Sequence, residues 1–148
     1  MNAISLWQPW ASAMASGVKT IETRSWPTTH RGDLVICSAK RKPSAYECGD
    51  DETYRAAMQM PYGCAVCVVE MYDCWPTDRI NNLRQPISEA ERDLGDYTPG
   101  RYGWLTRNCR ALKTPVPILG RQGLWMLPPE SIAAINTQLL AERDKERT

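Results

Sequence analysis

A small α+β fold, a mixed or antiparallel β-barrel with short helices packed on its outside, is what this sequence predicts. Three observations carry the prediction. About five short apolar runs of strand character are each entered or left through Gly or Pro. The helical periods between them are brief. With 148 residues and a hydrophobic fraction of 43%, the chain is long enough to build one core.

The elements follow in order. "SLWQPWASAMASG" reads as the end of a strand followed by a short helix. Pro9 suits its first turn and Gly17 a left-handed cap at its end. Trp10, Ala13 and Met14 fall at helical spacing, which predicts that they face the core. "HRGDLVICSAK" turns at Gly-Asp and continues as a buried strand through Leu34, Val35, Ile36 and Cys37. "YGCAVCVVEMYDC", between Pro61 and Pro76, is the strongest strand signal. "GRYGWLTRNCRAL" and "GRQGLWML" supply the remaining strands, each entered through a glycine.

Two polar inserts, near residues 43–61 and 76–100, interrupt this pattern. The first carries a helical turn or two near Tyr54 to Met60. The second contains "SEAERDLG", where Ser88 and Glu91 have capping-box spacing and Gly95 stops the helix. A C-terminal helix near residues 129–144 presents Ile132, Ile135 and Leu139 along one face. No repeat, low-complexity segment or boundary divides the chain, so residues 1–148 read as a single domain.

Composition narrows the function. Net charge is +1 with 18 Lys and Arg, which excludes the blanket positive charge of a non-specific DNA coat. Affinity for nucleic acid must come from local clustering instead. Six cysteines without a secretory leader read as reduced thiols of a soluble, cytoplasmic monomer, and no apolar run is long enough to span a bilayer. Cys64 and Cys67 have CxxC spacing, but the chain has one histidine, His30, and no second ligand pair. In a regular strand, positions i and i+3 point to opposite faces, so buried structural thiols and no metal are expected. His30 sits in a turn-like Thr-Thr-His-Arg-Gly run. No glycine-rich phosphate loop is present, so no cofactor is expected.

The densest chemistry is "GVKTIETRSW", residues 17–26. In a regular strand Glu22, Arg24 and Trp26 share one face while Lys19 points away, with Glu22 and Arg24 roughly 7 Å apart. That describes a solvated strand worth at most ~1 kcal/mol in pairing. A break at Gly17 places Lys19 instead in an irregular connection that curls back over Glu22. Basic and aromatic residues recur at the strand junctions: Lys40 beside Arg41 and Lys42, Arg101 and Arg121 after glycines, and Trp7, Trp10, Trp104 and Trp125 nearby. Such interleaving suits binding of phosphate and stacking of a base together.

The segment from Ile4 to Lys40 resembles the start of an ASCH domain, whose hallmark is G-x-K-x-x-E-x-R, here Gly17, Lys19, Glu22 and Arg24. The later strands are similar in order, so the resemblance spans residues 3 to about 127. It implies a PUA-like barrel and a cleft beside the motif for RNA or a modified nucleoside. The superfamily includes RNA-binding modules, amidohydrolases acting on N4-acetylcytidine, and nucleases acting on single-stranded RNA. The amidohydrolase pattern has a lysine, a threonine three positions later, and a later glutamate. Lys19 matches the lysine, Glu22 occupies the threonine position, and Glu70 stands in for the third residue. The expected site is therefore Lys19 and Glu22 as catalytic groups, with Gly17, Arg24, Trp26, Lys40, Trp7 and Arg121 binding the ligand. Arg24 and Lys40 contact phosphate or carbonyl oxygens, and Trp26 or Trp7 offers a stacking face.

Overall fold

The computed structural model describes residues 1–148. Six strands form one sheet: β1 (Asn2–Leu6), β2 (Ile21–Arg24), β3 (Gly32–Ser38), β4 (Cys64–Pro76), β5 (Tyr102–Pro117) and β6 (Trp125–Met126). Six helices accompany them: α1 (Trp10–Ala15), α2 (Ala45–Cys48), α3 (Asp51–Met58), α4 (Thr77–Asn81), α5 (Glu89–Asp93) and α6 (Pro129–Glu146). The spatial order is β2-β5-β4-β3-β1-β6, with β1 and β3 parallel and the other neighbours antiparallel. The α+β class is as expected. The expected barrel is a mixed sheet whose ladder does not close, because β2 and β6 stand at its two edges.

The two long strands explain the curvature. β4 and β5 run for 13 and 16 residues and pair along most of that length, but their register slips at Ala65/Cys67, Val68/Glu70 and Met71/Asp73. These slips mark extra residues on one strand or the other, which bend the pair and raise its twist. On its other side β4 bulges against β3, with Val66 the extra residue between the Cys37–Ala65 and Ile36–Cys67 pairs, and this corrects the expectation for the CxxC pair. Cys64 and Cys67 do not fall on opposite faces but pack into the same core cluster, with Ile4, Met14, Leu34 and Trp104. Ala65 and Val68 belong to the cluster on the other side, which α6 covers with Ile135 and with Ile132 and Leu139 at its margin. All six cysteines are free.

The N-terminal helix also departs in one respect from its periodicity. Ala11 and Met14 are its buried residues, and Trp10 is not in the core but 37% exposed. Gln8 is buried and holds the entry to α1, donating to Pro61 O at 2.9 Å and accepting from Ser12 N at 2.9 Å. Gly17 has φ +81°, the left-handed conformation expected at this cap.

The second insert is less polar in space than in sequence. Ile80 and Tyr97 join Ile21 and Leu105 in a third small core, flanked by Trp75, Leu83 and Ile87. Gly103 on β5 is needed there: a Cβ at that position would collide with the Ile80 side chain and lie 3.1 Å from Ile21 Cγ2. No helix is long and apolar enough to cross a membrane.

Candidate functional site: a two-chambered cleft at the edge strand

Edge strand β2 positions the motif. Gly17 turns the chain out of α1, and Lys19 N donates to Ala13 O at 3.0 Å, so residues 17–20 are an irregular connection rather than strand. Lys19 accordingly curls back toward Glu22, the second of the two arrangements that the spacing allows. Its side chain is fully buried, and Nζ donates to Ile21 O at 2.6 Å and Leu94 O at 2.8 Å and lies 3.9 Å from Glu22 Oε1. Burial lowers the Lys19 pKa, against the opposing pull of the Glu22 and Glu91 carboxylates. Burial likewise raises the Glu22 pKa, against the Lys19 ammonium and the Arg24 guanidinium. Each charge is thus costly alone and compensated by the other.

Glu22 is 12% exposed at its side chain and faces a cavity of about 500 Å³. Arg24, Trp26, Trp7, Trp10 and Arg101 share this chamber, and Asp93 to Asp96 of the second insert form the opposite wall. Arg24 Nη2 donates to Ser5 O at 2.9 Å, while its Nε and the Ser5 hydroxyl are buried without partners. Arg101 is held by Asp96, 3.5 Å from its carboxylate, and donates to Thr23 O at 3.3 Å. Trp26 meets Trp104 edge-on with centroids 4.7 Å apart, and Trp104 Nε1 donates to Trp26 O at 3.2 Å. That contact fixes the Trp26 ring.

A second cavity of about 600 Å³ opens beside the first and shares Ser5, Trp7, Arg24 and Trp26 with it. Lys40 and Arg121 line this chamber only. Trp7, 52% exposed, stands between the chambers under the Arg41 guanidinium, which lies 4.3 Å from its ring centroid.

Of the residues expected at the site, Glu22, Arg24, Trp26 and Trp7 converge on the first chamber, and Lys40 and Arg121 on the second. Lys19 lies behind the wall and Gly17 at the exposed turn; neither lines a chamber. Glu70 does not reach the site. It sits on β4 with its carboxylate 3.0 Å from Arg107.

The carboxylate that does meet the motif is Glu91, in the second insert. It is buried and accepts from Thr20 N, Thr20 Oγ1 and Ile21 N at 2.8–3.0 Å. Its capping-box spacing was visible, and Ser88 does accept from Glu91 N at 3.1 Å. The side chain, however, turns from its own helix to the amides that precede an edge strand. With Leu94 O on Lys19 and Asp96 N on Thr23 Oγ1 (2.9 Å), it stitches the insert to β2.

Comparison with known proteins agrees with this architecture. The ASCH domain family profile matches residues 4–114. Over 133 residues the chain is 29% identical to activating signal cointegrator 1 of Homo sapiens, and equally so to that of Mus musculus. The match covers 84% of this chain and 22% of the relative, so the chain spans about a fifth of those proteins' length. Among solved structures, ASCH from Zymomonas mobilis superposes with a TM-score of 0.58 at 17% identity, covering 92% of this chain and 93% of that one. A mutant of the same protein gives 0.57 at 18% identity, covering 92% and 96%. These structures share the fold. The profile covers most of the chain and contains the whole Gly17–Arg24 motif: this protein belongs to the ASCH domain family.

Proposed function

We propose that the protein binds single-stranded RNA, with one base held in the first chamber. The observation that carries this reading is the composition of that chamber. A buried carboxylate and a guanidinium stand side by side on a strand, surrounded by Trp7, Trp10 and Trp26. A nucleobase presents a planar apolar face and an edge of mixed donors and acceptors. Trp10 and Trp7 supply exposed faces for stacking, Glu22 accepts from amino or imino groups of the base edge, and Arg24 donates to carbonyl oxygens. Lys19 acts as a positioning residue, keeping Glu22 ionised and fixed. Family membership supports an RNA-binding type of domain in general terms.

Tryptophan-fluorescence titration with short single-stranded oligoribonucleotides tests the reading. Arg24→Ala and Trp10→Ala are each expected to weaken binding about tenfold or more, in the range of one lost stacking or charge-assisted contact. Binding that neither substitution alters, or no binding by a folded protein, overturns it.

A second reading rests on the raised pKa of Glu22, the kind of perturbation found in catalytic carboxylates. Glu22 would take a proton from water as it attacks the amide carbonyl of N4-acetylcytidine. Arg24 would stabilise the oxyanion, and the proton would pass to the departing cytidine amine as acetate forms. Incubation with N4-acetylcytidine and chromatography for cytidine decides it: release abolished in Glu22→Gln supports hydrolysis, and absence of release excludes it.

A further inference from the structure

The two chambers differ in charge. The first carries Glu22, Asp93 and Asp96 against Arg24 and Arg101. The second has no Asp or Glu on its walls and three cationic residues, Arg24, Lys40 and Arg121. Lys40 and Arg121 take part in no ion pair: the seven in the molecule engage other residues, including neighbouring Arg41, which is committed to Glu47 at 2.6 Å. Two exposed, unpaired cations on a concave, acid-free wall are free to meet an anion from outside.

The chamber's backbone points the same way. The loop Leu119–Gly123 lies outside helix and strand, and none of its N–H groups donates to a backbone carbonyl. Gly123 has φ +69°, the left-handed conformation found where successive amides turn to one side. Gly63, at φ +68°, leaves the space along which Lys40 lies: a Cβ there would sit 3.1 Å from Lys40 Cγ. Gly120 approaches Ser5 closely enough that its Cβ would stand 3.2 Å from the unpartnered Ser5 hydroxyl.

We propose that the second chamber is a phosphate subsite, and that it holds the backbone phosphate attached to the nucleoside whose base fills the first chamber. Arg24 and Ser5, on the wall common to both, stand between the base and the phosphate. The proposal rests on the base-binding reading above and makes it directional. The ligand is a nucleotide within a strand rather than a free nucleoside, and it crosses the cleft from the acidic insert toward Arg121.

Two measurements test it. Affinities for cytidine, cytidine 3′-monophosphate and cytidine 5′-monophosphate are compared in the wild-type chain and in the Lys40→Ala/Arg121→Ala double variant. One of the monophosphates is expected to bind wild-type protein at least about tenfold more tightly than cytidine, the gain of one charge-assisted contact. That ratio is expected to approach one in the double variant. A wild-type ratio near one for both isomers, or a ratio that survives the double substitution, overturns the phosphate subsite while leaving the base-binding reading intact if cytidine itself binds.

The second measurement needs no base. Ribose 5-phosphate is expected to shift the amide resonances of Leu119–Gly123, and ribose is not. If no nucleoside binds but these shifts occur, the base chamber is wrong and the phosphate subsite stands. Without the shifts, the subsite falls.

Discussion

Glu22 and Cys109 illustrate how position resets the chemistry of a side chain. Burial raises the Glu22 pKa, so the carboxyl takes up its proton at a pH above its ordinary value of 4.5. Ligand N–H groups that donate to the carboxylate lose their acceptor when it is protonated. Affinity is therefore full above the folded-state pKa and falls as pH is lowered through it. The fall begins on the neutral side of the usual carboxylate range. Dissociation constants measured from neutral to acidic pH should show this decline, and Glu22→Gln should flatten it. An unchanged slope in the variant would remove Glu22 from the ligand contact. Cys109 is the exposed thiol of the six, and it is lowered to about 7, chiefly by a hydrogen bond from Cys67 and also by Arg110. Burial instead pushes Cys37 up to about 12. At neutral pH a larger share of Cys109 than of an ordinary cysteine is thiolate. Iodoacetamide should alkylate it well ahead of the other cysteines, as read by peptide mass spectrometry. Faster labelling at Cys48 or Cys74 would contradict this.

The second insert and β2 form one mechanical unit. β2 is four residues long and lies at a sheet edge, where a short strand has one neighbour to hold it. Glu91, Leu94 and Asp96 supply the missing contacts, and Ile80 and Tyr97 add a small apolar core beneath. Glu91→Ala would leave the Ile21 amide buried without an acceptor and is expected to cost about 3 kcal/mol. Urea denaturation measures that loss, and hydrogen exchange should speed up selectively at Thr20 and Ile21. A loss below about 0.5 kcal/mol, within the range of an ordinary surface substitution, would show that the clamp is unimportant. The same element makes one wall of the first chamber, so ligand affinity should fall together with stability in this variant.

Across the whole molecule, a net charge of +1 hides a polarised cleft. Arg41, Arg101, Arg107 and Arg110 are each paired with a carboxylate, whereas Lys40 and Arg121 are left to the second chamber. Binding of single-stranded RNA should therefore respond to salt through few contacts. With one phosphate neutralised in the second chamber by Lys40 and Arg121, the slope of log K against log salt should be about −0.7. A much steeper slope would mean that binding spreads over the outer surface, and a flat one that no phosphate is neutralised. The Lys40→Ala/Arg121→Ala variant should lose most of the dependence.

Local pattern determined much of this protein. The valine-rich run around Val66 to Val69, the Gly17 cap and the apolar stripe of α6 each depend on neighbours within a few residues, and each was legible. The motif Gly17, Lys19, Glu22 and Arg24 was legible as well, since its residues lie within one short segment. Tertiary structure decided the rest, because the deciding partners are far apart in the chain. Cys64 and Cys67 share a core cluster because β4 bulges at Val66 against β3, a mismatch in pairing length that neither strand displays alone. Trp10 lies beside the cleft because cavity walls, as well as the core, take aromatic residues at helical spacing. Glu91 reaches Thr20 and Ile21 across about 70 residues of chain, and Lys40 and Arg121 share a chamber only where the segment after β3 and the loop before β6 come together. Which charges remain unpaired, and so which are free to hold a ligand, is a property of the packed whole.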